Sequence, residues 1–143
     1  MPDLVYRNLT KNIIKYVQPA VADHKKNKFV IYTNGMGGQV VRKYLETEFS
    51  IWPEYIIDNK VYDGINILNI EQAKKRDNSG VYFLICSWHG DYYEEIRKKI
   101  YDAFPREQII DVFPRVDKAL PTDEEICETL RYLNTYLERE LCL

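Results

Sequence analysis

The chain has few of the residues that chemistry usually depends on. Of its 143 residues three are cysteines, Cys86, Cys127 and Cys142. They stand far apart with no C-x-x-C pair, and the odd count does not suggest a disulfide framework. A reducing cytoplasm is therefore the expected compartment. There are two histidines, His24 and His89, in no ligand-like cluster, so no metal site is expected. Neither sign of charge dominates: the net charge is -2, which removes the global electrostatic case for nucleic acid or an anionic membrane. No apolar run is long enough to span a membrane, and the charged stretch from Met1 to Val17 has no signal-peptide core.

What is present is globular in character, with 45% hydrophobic and 29% charged residues. The length fits one domain with a sizeable core, 1–143. Strand-like and helix-like stretches alternate. The strand candidates are Phe29 to Tyr32, Glu54 to Asp58, Ile65 to Leu68, Val81 to Cys86 and Gln108 to Val112. Between them, Val41, Leu45 and Phe49 form one helical stripe, and Tyr92, Ile96, Ile100 and Phe104 another. Pro53 closes off the first of these. Asn69 is placed to cap a short helix from Ile70 to Arg76, which Asn78, Ser79 and Gly80 would close.

This alternation predicts an α/β fold: a Rossmann-like three-layer sandwich with a mostly parallel five-stranded sheet over about 28–113. Extra helices are expected at 3–18 and 122–141. Leu9, Ile13, Tyr16 and Val17 mark the first, with Pro19 at its end or kink. Thr122 and Glu125 form a capping-box pair for the second. Its stripe of Ile126, Leu130, Leu133, Leu137 and Leu141 either docks on its own sheet or makes a homodimer contact with the other terminal helix.

The centre of the pattern is Phe29-Val30-Ile31-Tyr32-Thr33-Asn34-Gly35-Met36-Gly37-Gly38, a strand that breaks into a glycine-rich turn and then a helix. Such a turn holds phosphate on free backbone N–H groups at the positive end of the helix dipole. The candidate ligand-binding residues here are Asn34, Gly35, Met36, Gly37 and Gly38. Gly35 is where a phosphate would approach, and Gly38 is where helix meets strand. Thr33 stands at the first glycine of G-x-G-x-x-G. That glycine serves the tight turn, and a β-branched residue does not easily take positive φ.

Asp58, with Asn59 beside it, ends the second strand about 20 residues past the last glycine, where an acid bonds a ribose hydroxyl pair. The loop Ser87-Trp88-His89-Gly90-Asp91-Tyr92 follows the fourth strand and should face the same crevice. Ser87 suits a phosphate or ribose, Trp88 or Tyr92 a stacking role, and His89 a general base. No partner triad accompanies His89, so no catalytic residue is assigned. Cys86 ends a buried strand and reads as core.

Three readings follow from these residues. One is a nucleotide-binding module without its own chemistry, another is a structural or oligomerisation domain with a degenerate site, and the third is a small NAD(P)- or nucleotide-sugar-dependent enzyme using His89.

Taken together, Ile31-Tyr32-x-x-Gly35-x-x-Gly38 with Tyr44-Leu45, Ile56-Ile57-Asp58-Asn59, Ile85-Cys86-Ser87 and Tyr93-Glu94-Glu95-Ile96 are similar to one family. The chain resembles the small Rossmann-like domains of bacterial surface-polysaccharide proteins. These occur at the N-terminus of nucleotide-sugar acyltransferases, before FkbM-type methyltransferase domains, and within epimerase and dehydratase relatives. The family pattern reads I-Y-G-A-G-x-x-G, then F-I-D-N, then I-A-S, and the likeness covers about residues 28 to 112. It implies a nucleotide-sugar or NAD(P) ligand held near Gly35, Gly38, Asp58 and Ser87. The Tyr-x-x-x-Lys pair of short-chain epimerases is not found. Tyr93 with Arg97 has the spacing but not the base, and no second sugar-binding domain is expected within these 143 residues. The resemblance therefore implies a binding module, alone or as a piece of a longer polypeptide.

Overall fold

A computed structural model describes residues 10–22, 27–58, 67–87 and 93–114, with 124, 127, 128 and 131. Helix α1 covers 10–16, and a short α2 follows at Gln18–Val21. The chain then runs through strand β1 (Lys28–Tyr32), helix α3 (Met36–Phe49), β2 (Tyr55–Ile57), β3 (Ile67–Leu68) and α4 (Ile70–Lys74). Strand β4 (Val81–Ile85), helix α5 (Tyr93–Ala103), a single 3-10 turn at Arg106–Gln108 and β5 (Ile109–Asp111) complete it. The four residues 124, 127, 128 and 131 are helical. Thr122, Glu125 and the leucine stripe from Ile126 to Leu141 lie outside the described residues, as does Leu9.

All five strands are parallel, in the order β3-β2-β1-β4-β5. The chain is a Rossmann-like α/β fold. Strand β1 pairs with β2 on one side, Tyr32 against Ile57, and with β4 on the other, Tyr32 against Ile85. Right-handed crossovers then send the helices to opposite faces. The two-residue side-chain period of β1 divides the core in the same way. Phe29 and Ile31 pack with Ile13, Val17, Val41 and Leu45 under α1, α2 and α3. Val30 and Tyr32 pack with Phe83, Ile85, Ala73 and Ile100 under α4 and α5. Each large apolar side chain enclosed this way contributes about 1.5–3 kcal/mol.

The boundaries differ from the sequence pattern where local chemistry intervenes. Pro19 lies in the first turn of α2, where its missing N–H costs nothing, so it starts a helix after a break at Val17. Helix α3 stops at Phe49 because Ser50 adopts the left-handed conformation, φ 55°, three residues before Pro53. The Ser50 and Ile51 N–H groups close it on Glu46 and Leu45. Asn69 does cap α4, in a capping box with Gln72. That helix ends at Lys74, however, well before Gly80, whose φ of 71° turns the chain into β4 instead.

Candidate functional site

In an open parallel sheet, ligands bind beyond the strand C-termini where the strand order reverses. Here the reversal falls between β1 and β4: β1 leads outward to β2 and β3, and the chain then returns to β4 on the other side. The glycine turn leaves β1 at this point. Gly35 caps α3 with extended backbone, φ -73° and ψ -168°, and no side chain caps the helix. Among the described residues nothing accepts from the N–H groups of Gly37 or Gly38, as expected in a first helical turn. The first turn carries no acidic residue.

The two fingerprint glycines do different work. A methyl group on Gly38 would overlap the Thr33 carbonyl oxygen and sit 3.1 Å from the Ile31 side chain. Only glycine lets α3 come this close to the end of β1. A methyl on Gly35 would meet nothing nearer than the Thr33 hydroxyl at 3.8 Å, an ordinary contact. The concern about Thr33 does not materialise either. The described residues with positive φ are Ser50 and Gly80, so the turn demands no left-handed residue at position 33.

Asp58 follows β2 and reaches across to the turn, where its Oδ2 accepts the Asn34 N–H at 2.8 Å. The acid expected at a ribose thus also holds the loop that would carry the phosphate. Ser87 is buried two residues past β4. Its carbonyl accepts from Arg97 of α5. Asn34, Gly35, Gly37, Gly38, Asp58 and Ser87 therefore share one end of the sheet. Met36 begins α3 there; Asn59, Trp88, His89 and Tyr92 lie outside the described residues.

Sequence reasoning passed over the most connected polar group at this end. Arg97 of α5 is only 7% exposed. Its Nε and Nη2 donate to the two Asp111 oxygens at 2.7 Å each. Nη2 also donates to the Ser87 carbonyl at 2.9 Å and the Phe113 carbonyl at 3.0 Å. The Tyr93 ring lies over the guanidinium at 3.6 Å. A signal was available: Arg97 sits four residues after Tyr93 and three before Ile100, on the buried stripe of α5, and a charge there requires a partner.

Tyr32 lies near both acid and base. Its hydroxyl donates to the Ile96 carbonyl at 3.1 Å. Burial, then the Asp58 carboxylate, pushes its pKa up to about 12 against the opposing pull of Arg97. Cys86 is fully enclosed, and burial raises its thiol pKa strongly, so it stays protonated and inert at neutral pH.

Two open clefts are lined by described residues away from the turn. One of about 460 Å³ is at the opposite end of the sheet, among Asn78, Phe104 and Gln108. Its polar groups are already engaged: Gln108 donates to the Asn78 and Val81 carbonyls, and Asn78 is bonded to Tyr55 and Ala73. A second, of about 400 Å³, is lined by Ile70, Lys74, Lys99 and Asp102 of α4 and α5. Volume favours these clefts; unmet donors favour the glycine turn, and a ligand is recognised by the groups it satisfies. No described helix is long and apolar enough to cross a membrane.

No protein family, curated protein or solved structure matches the chain. The fold assignment rests on the chain's own strand order and crossovers.

Proposed function

We propose that the chain is a nucleotide- or nucleotide-sugar-binding module of bacterial surface-polysaccharide assembly, without a complete catalytic set of its own. The observation that carries this reading is the uncapped start of α3 at the reversal of strand order. Its N–H groups and the helix dipole suit a phosphate. Gly35 supports it as well. Neither its φ nor its packing requires glycine, so close approach by something outside the chain is the remaining reason for one. Asp58, at the end of the second strand and bonded to the turn through Asn34, supports a ribose contact beside it. The polysaccharide context rests on the resemblance of the motifs alone.

Thermal unfolding with millimolar UDP-sugars, NAD, NADP and CoA tests the reading. A ligand at a hundredfold excess over its Kd stabilises by about 2.7 kcal/mol. No change in Tm with any of them would remove it.

One observation favours a second reading, a structural or oligomerisation domain with a degenerate site. Asp58 already places a negative charge on the turn, through Asn34, where a ligand anion would come. On this reading Asp58→Asn leaves the ligand panel silent and alters stability alone. On the first, it weakens whichever ligand binds.

A further inference from the structure

We draw no further inference here: the strongest candidate, the open cleft of about 460 Å³ among Asn78, Phe104 and Gln108 at the N-terminal end of the sheet, is lined by Asn78 and Gln108 side chains that hydrogen-bond within the fold, and nothing in the structure shows what would occupy it.

Discussion

The two ends of the sheet are built from similar materials and finished differently. At the N-terminal end, Tyr55 donates to Asn78, Asn78 donates to the Ala73 carbonyl, and Gln108 bridges the carbonyls of Asn78 and Val81. That network closes on itself and holds α4 against the starts of β2, β4 and β5. At the C-terminal end, Asp58 ties down the turn and Arg97 ties β4 to β5, yet donors remain on Gly37, Gly38 and Arg97 Nη1. A fold that needed only stability could have closed both ends. The contrast is what supports the proposed site at the end with unmet donors, although an open cleft lies at the other.

The contrast can be broken experimentally, and the largest effect should come from Asp111→Ala. It leaves a buried guanidinium charge without its carboxylate, and urea titration should show a loss of about 3–5 kcal/mol. A loss below 1 kcal/mol would mean that Arg97 is not held as described. Next is Gly38→Ala. Its new methyl meets a backbone carbonyl, which cannot rotate aside, so a loss of about 1–3 kcal/mol is expected in the same titration.

Tyr55→Phe removes one hydrogen bond from the closed end and should cost about 1 kcal/mol. The same residue gives a pH test. Burial raises the pKa of Tyr55, like that of Tyr32, to about 12. The unfolded chain ionises first, near 10, so this contribution is complete below pH 10 and is lost as pH rises toward 12. Unfolding free energy should fall across that window. Tyr55→Phe should make the fall shallower, and an unchanged slope would show that Tyr55 titrates normally.

The smallest expected effect on stability is also the most informative. Gly35→Ala should unfold within about 0.5 kcal/mol of wild type, since its methyl clashes with nothing and its φ suits any residue. Any ligand found in the thermal panel should nevertheless bind it more weakly. A variant with unchanged stability and unchanged binding would make Gly35 incidental.

Much of the framework was legible in the residues. The apolar run at β4, the stripe of Val41 and Leu45, and the Asn69 cap are local signals, and each led to the right element. Helix ends were less so. Ser50 takes a left-handed conformation without the glycine that normally announces one, and the break expected at Pro19 falls at Val17, with Pro19 in the first turn of the next helix. At the site, Asp58 reads in the sequence as a ribose contact or as a cap of its own turn with Asn59, and its bond to Asn34 depends on how β2 lies beside β1. Arg97 has the spacing of an epimerase pair with Tyr93 but not its base, and its place on a buried stripe is the signal that marks it.

The sequence by itself determined which segments become strands and helices, and that a glycine turn opens between β1 and α3. Those outcomes depend on side-chain periodicity and backbone freedom within a few residues. Only the tertiary structure decided the order β3-β2-β1-β4-β5, the meeting of Asp58 with the turn, and the grip of Arg97 on Asp111, Ser87 and Phe113. Parallel strands pair across long separations in the chain. No local pattern encodes which partner a buried charge will find once the sheet has brought distant ends together.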